Sequence, residues 1–161
     1  MKIAFANLFF LLFVITSCQQ AHIQLIDSNL NNLFIDSRFS VEVFASDIDS
    51  PRQIAEDSEG RIYVGSRRSG KIFALIDSDN NGAADEKILI VNNLTFATGI
   101  SFFEGDLFFS EINKIWKIKN INSYFSSDLK TLPEKILITD DLPSDEWHGW
   151  KWIKHDKKGN L

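Results

Sequence analysis

From residue 39 onward, apolar and polar positions alternate in short runs, and no segment keeps the 3.6-residue period of a convincing helix. The run Phe39-Ser40-Val41-Glu42-Val43-Phe44 is the first of these and predicts a half-buried strand. A strand, tight turn, strand pattern follows and repeats. Ile54-Ala55-Glu56-Asp57-Ser58-Glu59-Gly60-Arg61-Ile62-Tyr63-Val64 returns as Gly99-Ile100-Ser101-Phe102-Phe103-Glu104-Gly105-Asp106-Leu107-Phe108-Phe109, and again as Ile153-Lys154-His155-Asp156-Lys157-Lys158-Gly159-Asn160-Leu161. Between the copies, Gly70-Lys71-Ile72-Phe73-Ala74-Leu75 is echoed by Asn113-Lys114-Ile115-Trp116-Lys117-Ile118, and Glu86-Lys87-Ile88-Leu89-Ile90 by Glu134-Lys135-Ile136-Leu137-Ile138. The spacing of about 45–50 residues is that of a four-stranded propeller blade. The expected fold is all-β: a β-propeller, of which residues 39–161 supply about two and a half blades. Residues 120–133 read as a long surface loop with at most a turn of helix.

A propeller closes with roughly four to eight blades, because an unclosed blade exposes an apolar face and strand edges. The expectation is therefore a truncated chain, the amino-terminal part of a longer polypeptide. Residues 39–44 would be the strand that pairs with the last blade.

Ahead of the repeats, residues 1–17 read as an export signal. Lys2 supplies a minimal charged start, and Leu8 to Ile15 is an apolar run too short for a typical transmembrane helix. The run ends Val14-Ile15-Thr16-Ser17-Cys18, which resembles a bacterial lipobox, so Cys18 is the expected lipidation site. An ordinary signal peptide with an incidental cysteine is the alternative. Residues 18–38 are polar and aperiodic and suit a tether. Gln19 after the cysteine points to a bacterial outer membrane, with the domain lipid-anchored and facing the periplasm or the surface.

Cys18 is the sole cysteine, which excludes disulfides and a c-type haem motif. With 17 basic and 22 acidic side chains, net −5, the chain is ill suited to nucleic acid. Neutral molecules or metal ions are the expected partners. The strands are rich in Phe, Ile and Val, and the four tryptophans are read as core.

Two clusters carry candidate chemistry. In Asp77-Ser78-Asp79-Asn80-Asn81-Gly82-Ala83-Ala84-Asp85-Glu86, oxygen ligands alternate around a glycine turn, the spacing that lets a short loop wrap calcium. Asp77, Asp79, Asn81 and Asp85 are the candidate ligands. Ile88 stands where an EF-hand carries its bidentate glutamate, and a metal-free Asp/Asn/Gly turn is the competing reading. The second cluster runs from Asp140 to Trp152 and contains His148, just before an expected strand at Trp150–Lys154. A neutral imidazole there could take a proton from a substrate hydroxyl; the competing reading is a packed structural histidine. His22 falls in the tether and His155 at a strand end, so no histidine metal cluster is expected.

Arg52-Gln53-Ile54, Gly65-Ser66-Arg67 with Gly70-Lys71-Ile72, the loop ending Ala84-Asp85-Glu86, and Asp141-Leu142-Pro143 with His148-Gly149-Trp150-Lys151 together resemble the sorbosone dehydrogenase branch of the pyrroloquinoline-quinone (PQQ)-dependent sugar dehydrogenases. The resemblance runs from about residue 39 to the last residue, and the His-Gly-Trp-Lys cluster is its most specific part. It implies a six-bladed propeller with the quinone at the channel mouth. It implies that His148 is the general base that removes a hydroxyl proton as hydride passes to the quinone, and that Arg52, Gln53 and Arg67 lie near the channel. Trp147 stands where the related soluble glucose dehydrogenases have an aspartate, and Ala97-Thr98-Gly99 replaces a more usual Pro-Asn-Gly. Thr98 and Trp147 therefore bear on substrate choice. By the same resemblance, the residues that hold the quinone carboxylates come from later blades. The expected protein oxidises a sugar or polyol with PQQ and passes electrons to an unspecified acceptor. The runner-up is a non-catalytic, calcium-stabilised propeller that binds carbohydrate or protein. A calcium-dependent, lactonase-like hydrolase is third, and it would need carboxylates inside the channel.

Overall fold

The computed structural model describes Leu30 and residues 33–128 and 131–161. The expected export signal, Cys18, His22 and most of the tether lie outside the described residues. The chain divides into two units, Met1–Val43 and Phe44–Leu161. In the first, Asp36 and Arg38 form a 2.9 Å ion pair, and Leu33, Phe34 and Phe39 are exposed.

The second unit holds eight strands: β1 (Pro51–Glu56), β2 (Ile62–Ser66), β3 (Lys71–Ile76), β4 (Glu86–Val91), β5 (Ile100–Phe103), β6 (Asp106–Ser110), β7 (Ile115–Ile118) and β8 (Ile136–Thr139). One short helix, α1 (Ile121–Phe125), interrupts them between β7 and β8. The strands form two four-stranded antiparallel sheets, β1-β2-β3-β4 and β5-β6-β7-β8, each an up-and-down meander in chain order. This is the blade unit expected from the repeat.

The repeat holds down to single residues. Ile72 pairs with Val91 and Phe73 with Leu89, one residue skipped; Ile115 pairs with Thr139 and Trp116 with Leu137, with the same skip. Both blades thus carry a β-bulge at one sequence position. The turns are also fixed by local chemistry. Between β1 and β2, the Asp57 carboxylate accepts from the backbone N–H of Glu59 (2.9 Å) and Arg61 (3.0 Å). In the third copy, Asp156 accepts from Lys158 (2.8 Å) and Asn160 (2.9 Å) in the same way. Between β5 and β6, Glu104 and Gly105 both have positive φ (46° and 87°), the two-residue hairpin turn that matches strand twist.

Alternate side chains fill the space between the two sheets. Tyr63, Ile72, Ala74 and Ile90 of the first meet Ile100, Leu107, Phe109 and Ile118 of the second, with Ile121 and Tyr124 of α1 closing one end. Each large side chain buried in this way contributes roughly 1.5–3 kcal/mol. The first strands, β1 and β5, lie beside one another.

Three expectations need correction. Residues 39–44 form no ladder among the described residues; the Phe39 N–H donates to the Asp36 carbonyl at 2.9 Å, and the Phe44 carbonyl accepts from the Ala84 N–H at 2.7 Å. Residues 150–154 form no ladder and are held instead by the side chains of Gln53 in β1 and of Thr98 just before β5. Two of the four tryptophans, Trp147 and Trp152, are 81% and 70% exposed and are not core.

Candidate functional site

The first strands of the repeats set the site. Pairing of Pro51 with Ser66 brings the end of β2 beside the start of β1, and the Arg67 N–H donates to the Ser50 carbonyl at 3.0 Å. Arg52 and Arg67 are thereby side by side at one end of the blade. Both face Trp150: the Arg67 guanidinium carbon lies 3.5 Å from the indole centroid and that of Arg52 lies 5.3 Å away. Arg67 also reaches the Phe96 ring at 5.4 Å. Among the described residues neither arginine is ion-paired. The Arg67 Nε and the Trp150 indole nitrogen are buried donors without an acceptor. Buried donors are rarely left so, and their cost falls when an acceptor arrives.

His148 lies two residues before Trp150, exposed in a turn and in the left-handed region at φ 70°. Few non-glycine residues adopt that region, though histidine does so more readily than most. Trp147 beside it is largely solvent-exposed. Downstream, the Lys151 carbonyl accepts from the hydroxyls of Thr98 and Ser110, both at 3.1 Å. The approach is close enough that a Cβ on Gly99 would fall 2.6 Å from both the Lys151 carbonyl oxygen and the Ser110 hydroxyl oxygen. Only glycine fits there.

Gln53 is used differently from its arginine neighbour. Its amide N–H donates to the Ile153 carbonyl at 2.7 Å, and its amide oxygen accepts from the N–H of Ile100 (3.3 Å) and Ile153 (3.2 Å). One side chain therefore ties the first strands of three successive repeats. Arg52, Arg67, Thr98 and Gln53 all lie along the junction of these repeats, with Trp147 and His148 on the adjoining turn.

A cleft of about 470 Å³ runs along the same three segments, lined by Arg52, Glu56, Ser101, Trp152, Lys154 and His155 among others. His155 was legible only as a strand-end residue. It stacks on Phe103 (5.0 Å between centroids), meets Phe108 edge-on (4.4 Å) and shares a 2.9 Å hydrogen bond between Nδ1 and the Ser101 hydroxyl. Burial holds its imidazole below the usual histidine range, partly opposed by the Asp156 charge. The Arg67–Trp150 stack was also missed, and the basic residue closing the Gly-Ser-Arg turn after β2 is the signal that would have found it.

The acidic loop stands apart, between β3 and β4. Asp77, Asp79 and Asp85 bring one carboxylate oxygen each within 4.8 Å of one another. Asp77 and Asp79 accept from the N–H of Asn81 (3.1 and 3.2 Å), Asp77 also from Gly82 (2.9 Å), and Asp85 from Ser78 (2.7 Å). The Asn81 side-chain oxygen accepts from Ala83 N–H at 2.9 Å. Such a set suits a hard cation, with lone pairs to spare on each carboxylate.

Comparison with known proteins gives a family. A family model described as a domain of unknown function, DUF7133, matches residues 26–132, well over half of the chain. The chain belongs to the DUF7133 family. The matched DUF7133 region takes in Arg52, Gln53, Arg67, Thr98 and the acidic loop and stops short of His148. An uncharacterized protein of Borreliella burgdorferi is 29% identical over 136 residues, covering 81% of this chain and 34% of that protein. The DUF7133 chain thus spans about a third of the length of this curated relative. Among solved structures, the holo form of the pyranose dehydrogenase PQQ domain from Coprinopsis cinerea aligns with TM-score 0.46 and 14% identity, over 58% of this chain and 22% of that one. The iodide structure of Trichoderma reesei Carbohydrate-Active Enzymes Family AA12 aligns with TM-score 0.48 and 15% identity, over 62% and 25%. The calcium structure of the same family gives 0.46 and 16%, over 61% and 24%.

Proposed function

We propose that the protein is a PQQ-dependent oxidoreductase acting on a sugar or polyol, of the sorbosone dehydrogenase type, on a six-bladed propeller completed by further chain. The observation that carries the reading is the pair of unpaired guanidiniums over Trp150, with two buried donors lacking acceptors, next to the turn that presents His148. PQQ is a planar tricarboxylate quinone. Guanidiniums that stack on aromatics and donate to carboxylates are the donor set such a group needs, so the residues present fit it. Arg52, Arg67 and Trp150 would hold part of it, together with residues of later blades. When bound, the quinone supplies a two-electron hydride acceptor.

The chain's own part is to orient substrate and move a proton. His148 is free of hydrogen bonds to protein among the described residues and open to solvent on a loop, so its imidazole can reach a substrate hydroxyl and take its proton. Trp147 supplies an aromatic face beside it for a sugar ring. Thr98, by contrast, spends its hydroxyl on the Lys151 carbonyl and acts through the backbone. The acidic loop is read as a calcium staple of the β3–β4 hairpin. Cys18 is read as a lipid anchor that places the domain at the outer membrane.

Dye reduction by the intact native protein with a panel of sugars and polyols, with and without added PQQ, tests the reading. Turnover only with quinone, abolished in His148→Ala without loss of folding, is the expected result. Sugar affinity without turnover, with melting that depends on calcium and loses that dependence in Asp79→Ala, would favour the non-catalytic carbohydrate-binding propeller instead.

A further inference from the structure

The turn that carries His148 is anchored from both sides, and one side chain closes it. Upstream, the Leu142 N–H donates to the Asn113 carbonyl at 3.4 Å, joining the loop to the β6–β7 turn. Downstream, the Lys151 backbone carbonyl is held by the Thr98 and Ser110 hydroxyls. Between these points the chain folds back on itself so tightly that a Cβ on Gly149 would overlap the Asp145 carbonyl oxygen and sit 3.3 Å from Ile112. The Lys151 ammonium spans the fold-back, donating to the Pro143 carbonyl at 3.2 Å and to the Gly149 carbonyl. A lysine ammonium has three donors and no acceptor, so it bridges two carbonyls without needing a carboxylate. His148, at positive φ, lies inside the segment this bridge closes.

We propose that Lys151 is a positioning residue for His148: its ammonium ties Pro143 to Gly149 and so holds the imidazole in its left-handed, solvent-facing placement. The proposal rests on the oxidoreductase reading for its kinetic consequence, but not for its structural one. Lys151 does not touch the imidazole. Its backbone carbonyl, which carries the contact to the second blade, is retained in every side-chain variant, so the blade should survive the change.

The test compares Lys151→Met, Lys151→Arg and the unmodified intact protein by two readouts. One is the rate of chymotrypsin cleavage after the exposed Trp147 under native conditions; the other is quinone-dependent turnover. Lys151→Met keeps most of the length of the aliphatic side chain and removes the donors, so cleavage should quicken while the melting transition moves little. Misplacing a base by about 1 Å costs up to ~100-fold in rate, so kcat should fall at least about tenfold with KM changed by less than about twofold. Lys151→Arg, which can donate to both carbonyls, should recover most of both. Unchanged cleavage in Lys151→Met would overturn the proposal, as would quickened cleavage with kcat intact. If the unmodified protein shows no quinone-dependent turnover yet Lys151→Met is cut faster and Lys151→Arg is not, the loop anchor stands and the oxidoreductase reading falls.

Discussion

Replacing Gln53 with methionine isolates the contribution of a single amide to the cohesion of three repeats. The side chain makes three hydrogen bonds, to the Ile153 carbonyl and to the N–H groups of Ile100 and Ile153. Methionine keeps the volume and removes all three. Each such bond contributes about 0.5–1.5 kcal/mol net, and a stranded buried partner costs about 1–3 kcal/mol. The cleft runs past Gln53, Ile100 and Ile153, so water can reach part of what is stranded. The expected loss is therefore about 2–3 kcal/mol rather than the larger sum. Urea unfolding of the intact protein should show a lower midpoint with an unchanged slope, and amide exchange should quicken at Ile100 and Ile153 ahead of the rest of the blade. Gln53→Glu should be at least as damaging: a carboxylate still accepts from both N–H groups but faces the Ile153 carbonyl with an oxygen instead of a donor. A loss below about 0.5 kcal/mol with exchange unaltered would refute the argument that this residue joins the repeats.

Two further perturbations probe the turns and the cleft. Asp57 and Asp156 make the same turn, but the Asp57 side chain is fully buried and also binds Arg61 Nε and the Tyr63 hydroxyl, both at 2.8 Å. Asp57→Ala should cost about 3–5 kcal/mol, the penalty for stranding a buried charged partner, and Asp156→Ala far less; equal midpoint shifts in urea would contradict this. His155 is held below its usual range by burial, so the fold favours the neutral ring. Its stabilising contribution should be complete above about pH 6.5 and be lost as pH falls through the lowered folded-state value. His155→Asn keeps an acceptor for Ser101 and does not titrate, so its melting temperature should fall less than that of the unmodified protein between about pH 7 and pH 5; parallel curves would sink the assignment.

The repeat was legible because a blade reads its own sequence locally. Turn residues and two-residue alternation lie within a few positions of the chemistry that fixes them, whereas the bulges at Phe73 and Trp116 depend on partners in the next strand, Leu89 and Leu137. Two expected strands form no ladder among the described residues, because a strand depends on a partner distant in sequence. Residues 39–44 and 150–154 have the right alternation, but alternation reports which faces are apolar and says nothing about who donates the hydrogen bonds. Short helix α1 fits the reading of residues 120–133 as a loop with at most a turn of helix: Ile121 and Tyr124 are spaced for one buried stripe of a single turn, too brief to raise a helical period.

The site residues divide along the same line. Arg52 and Gln53 are neighbours in β1, at the point where its pairing with β2 shifts register between Pro51 and Ile54, and they have different tasks: one guanidinium faces Trp150, one amide staples the repeats. A sequence reading that groups them as one binding motif cannot see the division. It becomes visible only when Trp150, about a hundred residues away and two repeats on, arrives against the arginines rather than against the core. The pairing also explains why His148 follows the repeat rather than belonging to it. The first strand of each repeat must thread close to its predecessor, as the lack of space at Gly99 shows, and the loop entering the third is forced back on itself at Gly149. The imidazole is carried on that fold-back, between the Lys151 backbone contact to the second blade and the Lys151 ammonium bridge from Pro143 to Gly149.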